Sequence, residues 1–170
     1  ATAEVHEAAT DAPGSFAARQ ALASLRRAGA EVIVVDGGIA DRSADLAAPH
    51  ADRVLAALRG RASQMNAGAA IARGDVLLFL HADTWLPVGF GAAVAAALAG
   101  GILGGRFDVI LRGRHPFLPV VASLMNLRSR LSRISTGDQA MFVRREVFAA
   151  LGGFSEGPLM EDVSFSTALK

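Results

Sequence analysis

The sequence has no cysteine and, among its 170 residues, a single lysine, Lys170. Without cysteine there are no disulfides, no thiolate zinc sites and no cysteine nucleophile, and this composition fits the reducing conditions of the cytoplasm, where we expect the protein. The formal net charge is only +1, so no strongly charged partner is indicated and we expect no nucleic-acid binding. Almost all the basic residues are arginine, a side chain suited to bidentate contacts with phosphate.

A convincing membrane span is also missing, although residues 88–105 carry no charged side chain. That stretch is mostly alanine and glycine, and two Gly-Gly pairs interrupt its end. We therefore expect a helix in a soluble core, followed by a glycine turn, and no transmembrane segment. The N-terminal residues contain no apolar run, so no signal peptide is predicted. The overall composition, 52% hydrophobic and 19% charged, is typical of one folded domain with a sizeable core.

Helix and strand patterns alternate along the chain. Apolar residues at helical spacing predict helices, and short aliphatic or β-branched runs predict buried strands. Helices are predicted at residues 16–27, 41–48, 60–73, 88–99, 120–131 and 145–151, and from 161 onward. Strands are predicted at 31–35, 53–57, 76–80, 105–111 and 140–143, and residues 1–15 are predicted to form a loop. This alternation favours an α/β fold whose mainly parallel sheet has helices on both faces, with the helix at 120–131 lining a surface groove.

The segment from Val76 to Asp83 is the most informative one. Val76–Leu80 is a short apolar run, which predicts a strand buried on both faces, and ligand sites in α/β sheets lie beyond the carboxyl ends of such strands. His81 and Asp83 follow there, and residues two apart in an extended segment share a face. A carboxylate and an imidazole in that place can hold a divalent cation that in turn holds phosphates. The alternative, equally open, is a turn in which Asp83 caps the next helix.

Other polar side chains lie beside predicted element ends. Asp36 follows a strand in an Asp-Gly-Gly sequence, which is also an ordinary turn. Arg61 and Asn66 open a helix, where a solvated helix face is the alternative. Glu161 and Asp162 begin the last helix, where acidic residues favour a helix N-terminus. Neighbours on a helix point about 100° apart, so only one of these two carboxylates is expected to face a substrate.

Several of these motifs follow one another in a familiar order. They are Val34-Val35-Asp36-Gly37-Gly38, then the segment 61–68 reading Arg-Ala-Ser-Gln-Met-Asn-Ala-Gly, then Leu80-His81-Ala82-Asp83, then Gly137-Asp138-Gln139, Gly152-Gly153-Phe154 and Met160-Glu161-Asp162. The ordered set, which covers residues 28–170, resembles the family 2 glycosyltransferases. Within that family, the chain is most similar to a bacterial subgroup labelled as arsenosugar-biosynthesis glycosyltransferases.

This resemblance implies a GT-A fold, the Rossmann-like fold of nucleotide-diphospho-sugar transferases. It also implies metal-dependent, inverting transfer of a sugar from a nucleotide-diphosphate donor to an acceptor hydroxyl. Mg²⁺ or Mn²⁺ would be held by Asp83, the acid of the family's Asp-X-Asp motif. The acceptor is unknown, and a homo-oligomer remains open.

The resemblance assigns the remaining roles residue by residue. The nucleotide-binding positions would be Asp36, Gly37, Arg61, Asn66, His81 and Ala82. Among them, Asp36 would contact the base or ribose of the donor, while Arg61 and Asn66 would line the nucleotide pocket. The catalytic positions would be Asp138, Glu161 and Asp162. Asp138 would lie beside the donor sugar or acceptor, and Asp162 would be the base that takes the proton of the acceptor hydroxyl.

The chain departs from the family pattern in three places. His81 replaces the first acid of the Asp-X-Asp motif, and only His6-Glu7-Ala8 stands where the family's opening strand ends in Asn-Glu. The chain also ends in the helix that begins at Glu161, where the family continues for a further segment. We therefore expect a single glycosyltransferase domain over residues 1–170 that is incomplete at both ends. Two other functions stay open: a sugar-phosphate nucleotidyltransferase, and a catalytically inactive nucleotide-binding module. A dinucleotide-binding enzyme is disfavoured, because no Gly-X-Gly-X-X-Gly follows a predicted strand.

Overall fold

The computed structural model describes residues 2–6, 16–38, 43–81, 83–156 and 160–170, and of residues 2–6, 16–20 and 43 it describes the backbone alone. The strands are β1 (Thr2–His6), β2 (Ile33–Asp36), β3 (Arg53–Ala56), β4 (Val76–Leu78), β5 (Thr84–Trp85), β6 (Gly104–Gly105), β7 (Asp108–Arg112) and β8 (Phe142–Arg144). The helices are α1 (Phe16–Arg27), α2 (Ser43–Ala47), α3 (Arg61–Ile71), α4 (Phe90–Ala99), α5 (Leu118–Ser132), α6 (Arg145–Ala150) and α7 (Glu161–Ala168). Two 3-10 helices span Ala48–His50 and Gly137–Gln139.

The strands pair in three groups. β1 lies between β7, to which it is parallel, and the short β5, to which it is antiparallel. β2 and β3 are parallel, and β8 lies antiparallel between β4 and β6. The expected α/β fold is confirmed, but within the described residues the sheet is more mixed than a mainly parallel one. The antiparallel pairs are those of β5 with β1 and of β8 with β4 and β6.

The pair β4 and β8 carries the core on both of its faces. Leu77 lies opposite Val143 and Leu78 opposite Phe142. One face packs on a cluster that includes Ala62, Met141, Phe148, Phe154 and Phe165, and the other on a cluster that includes Phe90, Val94, Leu98, Phe107 and Ala140. The predicted contact of this segment with core on both faces is confirmed, but its burial is partial: Leu77 is buried, Leu78, Phe79 and Leu80 are half-buried, and Val76 is exposed where the strand begins. β4 is therefore held rigidly, which fixes where its carboxyl end points.

Two sequence predictions are wrong in informative ways. Residues 2–6 form β1 rather than a loop, because their backbone groups pair with β7 in the register Thr2 to Asp108. The sequence Thr-Ala-Glu-Val-His has no run of β-branched or aromatic residues that would predict this long-range pairing. The single strand expected at 105–111 is two strands. β6 pairs with β8 and β7 pairs with β1, so the chain changes partner at Arg106 and Phe107.

Most helices begin and end close to their predicted residues. α1 has the predicted bounds, α5 begins two residues earlier than predicted, and α2 is followed at once by the 3-10 turn containing Pro49. Residues 41 and 42, where that second helix was predicted to begin, lie outside the described residues, as do Glu7 and Ala8. In the part of the chain that the structure describes, no helix has both the length and the apolar composition needed to cross a membrane.

Candidate active site

The candidate site lies where β4 ends. His81 follows that strand, and three other segments converge on it: the first turn of α3 with Arg61, the 3-10 helix with Asp138, and the first turn of α7 with Glu161 and Asp162. These segments are far apart in the sequence. They meet because β8 pairs antiparallel with β4, so the residues just before β8, which include Asp138, lie near the residues just after β4, which include His81.

Arg61 lies between an imidazole, that of His81, and a carboxylate, that of Glu161. Its Nη2 lies 2.7 Å from Nε2 of His81, and its Nε lies 3.1 Å from Oε1 of Glu161. A guanidinium can only donate hydrogen bonds, so His81 Nε2 must be the acceptor and carry no proton. His81 is therefore the neutral tautomer with its proton on Nδ1.

The surroundings of His81 agree with that neutral form. Burial lowers the pKa of His81, and the adjacent Arg61 cation lowers it further, while the carboxylates of Asp83, Asp138 and Asp162 act in the opposite direction. The contacts that join the site are those of Arg61 with His81 and Glu161, and of Asp162 with the N–H of Gly137, whose Cα lies against both Arg61 and His81. Residues that the sequence predicted separately for nucleotide binding and for catalysis thus share one site.

Asp162 is buried and held by backbone groups. Its Oδ2 accepts a hydrogen bond from the N–H of Gly137 at 2.6 Å, and its Oδ1 accepts one from the N–H of Val163 at 2.8 Å. The hydroxyl of Ser166 donates to the Asp162 carbonyl and accepts from the N–H of Ser135, which fastens α7 to the chain before the 3-10 helix. A carboxylate has about four acceptor positions, so both oxygens keep one for a substrate.

Glu161 faces a different way from Asp162, as expected for neighbours on a helix. It is buried beside Arg61, but the Arg61 N–H is not aligned on Oε1, and among the described residues this oxygen has no hydrogen-bond donor. A buried carboxylate oxygen without a donor is costly unless a ligand or water supplies one. Glu161 therefore combines an ion pair with unused capacity to accept a hydrogen bond from a substrate hydroxyl.

Gly137 is the point where these groups are packed most closely. A methyl group on its Cα would overlap Nη2 of Arg61 and the imidazole of His81. Only glycine leaves room for the Arg61–His81 pair while its own N–H reaches Asp162. The sequence indicated this residue only as part of the Gly-Asp-Gln motif and assigned it no role.

The predicted nucleotide-contact residues at β2 lie next to α3. Asp36 is the last residue of β2 and is partly buried, and Gly37 follows it. Gln64 donates a hydrogen bond from Nε2 to the carbonyl of Val35 at 3.0 Å and fills the space that a side chain at Gly37 would occupy. Gln64 lies one helical turn from Arg61, so α3 joins the Asp36 turn to the His81 site. Gln64 had no predicted role.

Asn66 points to a different neighbour. Its amide oxygen accepts the Phe154 N–H at 2.9 Å, and its amide nitrogen donates to the Phe154 carbonyl at 2.9 Å. Both polar ends of the side chain are thereby occupied by the backbone after Gly153. The predicted contact of Asn66 with nucleotide stays a prediction, and the observed contacts are structural. Ala82 lies outside the described residues.

Asp83 is the one predicted metal ligand. In the described part of the chain, no three carboxylate or imidazole groups are close enough to hold a metal ion by themselves. His81 adds no ligand in the observed arrangement, since Nε2 accepts from Arg61 and Nδ1 carries the proton. Mg²⁺ and Mn²⁺ nevertheless use few protein oxygens and complete their shells with phosphate and water. The donor chemistry therefore fits a metal that Asp83 and a bound diphosphate would hold.

A surface cavity of about 390 Å³ lies away from these groups, at the amino end of β4. It is lined by Asp75, Arg144, Arg145, Glu146 and Ala149. Ligands of α/β sheets bind beyond the carboxyl ends of the strands, so we assign the candidate site to the His81 end.

Comparison with known proteins decides the family. The model of the family described as Glycosyl transferase family 2 matches residues 17–151, most of the chain. The chain belongs to the family 2 glycosyltransferases. The predicted family is thereby confirmed, whereas the arsenosugar subgroup rests on sequence motifs alone.

A solved structure supports the same fold for this family 2 chain. The chain is similar to a mannosyltransferase from Pyrobaculum calidifontis, solved in complex with GDP-mannose and Mn²⁺, at a TM-score of 0.68 and 20% sequence identity. The match covers 98% of this chain and 50% of the mannosyltransferase, so the chain spans half the length of that protein. The predicted GT-A fold is confirmed. No curated protein matches the sequence.

Proposed function

We propose that this chain is the donor-binding and catalytic region of a metal-dependent, inverting glycosyltransferase. It would move a sugar from a nucleotide-diphosphate donor to an acceptor hydroxyl. The observation that carries the proposal is the contact network beyond the end of β4, in which Arg61 lies between His81 and Glu161 and the N–H of Gly137 holds Asp162. Transfer with inversion forms no covalent sugar–enzyme bond and needs two things, a base and charge neutralisation at the leaving diphosphate. Asp162 would supply the first, and Arg61 with a metal held by Asp83 would supply the second.

Asp162 is the proposed base. Its carboxylate would accept the proton of the acceptor hydroxyl while that oxygen bonds to the anomeric carbon and the nucleoside diphosphate leaves. The two backbone N–H donors, from Gly137 and Val163, hold the carboxylate in one orientation. A base held in this way contributes on the order of 10²–10⁴-fold to the rate. Asp138, one residue after Gly137, would lie beside the donor sugar or acceptor.

Arg61 and Asp83 would serve the diphosphate. The Arg61 side chain is about half exposed, so its guanidinium can turn an N–H toward a phosphate oxygen while its Nε stays near Glu161. Mg²⁺ or Mn²⁺ held by Asp83 would act as a Lewis acid that neutralises charge on the leaving oxygens. His81, which replaces the first acid of the family's Asp-X-Asp motif, would hold Arg61 in place through the hydrogen bond that its Nε2 accepts.

The donor nucleoside would lie toward β2. Asp36 would accept hydrogen bonds from the base or ribose, and Gly37 would let the chain approach the ligand closely. Gln64 supports this turn through the Val35 carbonyl. Glu161, with its unused Oε1, would bind a sugar hydroxyl rather than take the proton. The assignment to the arsenosugar-biosynthesis subgroup is part of this proposal, is supported by the ordered motifs, and does not name the acceptor.

The test combines donors, metal and one variant. The purified protein is incubated with GDP-mannose and with a panel of UDP-, GDP- and dTDP-sugars in the presence of Mn²⁺, and donor hydrolysis and nucleotide binding are measured. We expect slow hydrolysis of at least one donor by the parent. Asp162→Asn should bind nucleotide and Mn²⁺ like the parent and lose on the order of 10²–10⁴-fold in turnover.

The other results have distinct meanings. Glu161→Gln, a matched control on the neighbouring residue, should lose less turnover than Asp162→Asn. If Glu161→Gln is inactive and Asp162→Asn is active, the two roles are exchanged. Nucleotide binding with no hydrolysis or transfer of any donor would show the inactive binding module instead, and pyrophosphate exchange would indicate a nucleotidyltransferase.

A further inference from the structure

Helix α5 exposes its large apolar side chains and turns small and polar side chains toward the protein. Large apolar side chains on and just before the helix are exposed; they are Phe117, Val120, Val121, Leu124, Leu127 and Leu131. At 100° per residue these six positions fall within an arc of about 120°, which is one continuous stripe. Phe117, Leu124 and Leu131, seven residues apart, are 64%, 60% and 78% exposed. We call these six residues the α5 stripe.

The opposite face attaches α5 to the protein through small and polar groups. Ala122 and Ser129 are buried there. Asn126 makes two hydrogen bonds to the backbone of Val109, and the hydroxyl of Ser129 donates to Gln139 at 2.8 Å. A helix whose polar side is fixed by specific hydrogen bonds cannot rotate to bury its apolar side. The stripe is therefore a feature of the folded surface, and exposed apolar patches of this kind mark interaction sites.

The charges around the stripe indicate what it meets. Residues 109–137 contain five of the chain's 17 basic residues, Arg112, Arg114, Arg128, Arg130 and Arg133, and none of its 16 acidic residues. All five arginines are exposed, two before the helix and three at its C-terminal end, and Arg130 is ion-paired with Asp108 at the base of α5. The remainder of the chain is net negative, so the positive charge is concentrated at the two ends of the stripe.

We propose that α5 docks this chain, lying flat, on the surface of an anionic lipid bilayer. Helices that lie in a membrane interface bury an apolar stripe among the acyl chains near the headgroups while flanking cations meet anionic lipids. The α5 stripe and its five arginines have that arrangement. α5 is 15 residues long, which suits a surface helix rather than a span.

A second copy of the chain is a poorer occupant. A two-fold dimer brings the same patch onto itself, so the arginines at the ends of both stripes would face one another. Residues 109–137 contribute no carboxylate of their own, and of the five arginines Arg130 is paired with Asp108, so each copy of the patch still carries a net positive charge. Like charges at an interface are costly, whereas an anionic bilayer supplies the opposite charge.

Vesicle flotation tests the proposal without depending on enzyme activity. The 170-residue chain is mixed with phosphatidylcholine vesicles, or with vesicles containing 30% phosphatidylserine, at about 0.1 M salt, an ionic strength at which surface charges still act over roughly 10 Å. We expect the parent to float with the anionic vesicles and not with the neutral ones. Leu124→Glu/Leu131→Glu should bind about 100-fold more weakly, because two apolar side chains are lost from the interface. Arg114→Glu/Arg128→Glu should bind at least roughly 30-fold more weakly.

Matched controls separate docking from general effects. Leu58→Glu changes a leucine that is 82% exposed but lies outside α5, and it should bind like the parent. Arg27→Glu/Arg145→Glu makes the same change in net charge elsewhere and should weaken binding far less than Arg114→Glu/Arg128→Glu. All variants should keep the parent's melting temperature, since the altered side chains are exposed.

Three results would overturn the proposal. The first is that the parent stays with the unbound fraction for both vesicle types. The second is a parent dimer in analytical ultracentrifugation that Leu124→Glu/Leu131→Glu makes monomeric, which would assign the stripe to a second copy. The third is equal loss of vesicle binding in the control variants, which would reduce the effect to net charge.

Discussion

At the scale of single residues, the candidate site depends on one place where no side chain fits. Gly137 sits against Arg61 and His81 while its N–H holds Asp162. Its backbone angle is not in the left-handed region, so the reason for glycine is space and not conformation. The absence of a side chain at Gly137 thus permits the Arg61 cation, the His81 imidazole and the Asp162 carboxylate to share one site.

Gly137→Ala should disturb all three groups together. The added methyl group must displace Arg61 or His81, and a shift of about 1 Å in positioned groups can reduce turnover on the order of 10²-fold. Donor hydrolysis or transfer is the measurement. Gly91→Ala is the control: Gly91 lies within α4 with open space at its Cα, and alanine there should stabilise the protein by about 0.5–1 kcal/mol. Parent-like turnover in Gly137→Ala would show that the Arg61–His81 contact is dispensable.

Asn66→Asp tests which of two roles this residue has. The carboxylate can still accept the Phe154 N–H but cannot donate to the Phe154 carbonyl, so the free energy of unfolding should fall by about 1–3 kcal/mol. Urea denaturation measures that change. Metal-free nucleoside diphosphate binding by the folded variant should be unchanged. A loss of nucleotide affinity with unchanged stability would instead support the nucleotide-pocket role that the sequence predicted.

At the scale of elements, α5 is joined to β7 by polar groups rather than by an apolar seam. Asn126 hydrogen-bonds both the N–H and the carbonyl of Val109. The neighbouring Asp108 accepts a 2.7 Å hydrogen bond from Arg106 and pairs with Arg130 on the helix. Burial raises the pKa of Asp108, but the hydrogen bonds from Arg106 and Arg130 outweigh it, and the pKa lies below the usual 3.8. Ionised Asp108 therefore stabilises the attachment of α5.

The sign of that pKa shift gives a pH dependence. Because the carboxyl is more acidic in the folded state, its contribution is complete above about pH 4, the ordinary unfolded value, and is lost as pH falls through the lower folded value. Asp108→Asn should lower the free energy of unfolding by about 1–2 kcal/mol at pH 7. The difference between variant and parent should shrink toward pH 3.

The control for this prediction is the exposed pair of Asp75 and Arg145, 3.8 Å apart, in which the Asp75 side chain is 99% exposed. Asp75→Asn should change stability by less than about 0.5 kcal/mol at any pH. Urea denaturation of both variants at pH 7, 5 and 3 makes the comparison. A pH-independent loss in Asp108→Asn would mean that the carboxylate acts through packing and not through its charge.

At the scale of the whole molecule, the candidate site and the core share β4 and β8. The two apolar clusters pack on opposite faces of this pair, and His81 stands at its end. A ligand that binds there in the folded state alone should therefore stabilise the entire domain by mass action. At a ligand concentration 100 times its Kd, the expected gain is about 2.7 kcal/mol.

Thermal unfolding with nucleotide and Mn²⁺ measures this linkage. For a chain of this size, 1 kcal/mol shifts Tm by about 2–4 °C, so GDP or UDP with Mn²⁺ should raise Tm by several degrees. Asp83→Ala should keep the shift due to nucleotide alone and lose the additional shift due to Mn²⁺. Asp75→Ala, which removes a carboxylate at the other end of β4, should behave like the parent. Equal Mn²⁺ effects in both variants would show that Asp83 does not hold the metal.

The sequence by itself determined the local elements and the family. Helical spacing placed α1 with its observed bounds, and the apolar run after Asp75 predicted a strand with a site beyond its end. The ordered motifs predicted the family 2 glycosyltransferases, which the family comparison confirms. These properties depend on residues close together in the chain, or on the order of short motifs, and one sequence records both.

Only the tertiary structure decided how distant residues meet. It paired the polar segment Thr2–His6 with β7, turned Asn66 toward Phe154 and set Arg61 between His81 and Glu161. It also left the apolar side of α5 facing outward, because Asn126 and Ser129 fix the other side by hydrogen bonds. The strand pairing and the contacts of Asn66 and Arg61 depend on partners more than ten residues away, and the exposure of the apolar side of α5 depends on which face of the helix packs on the protein. A local residue pattern contains neither kind of information.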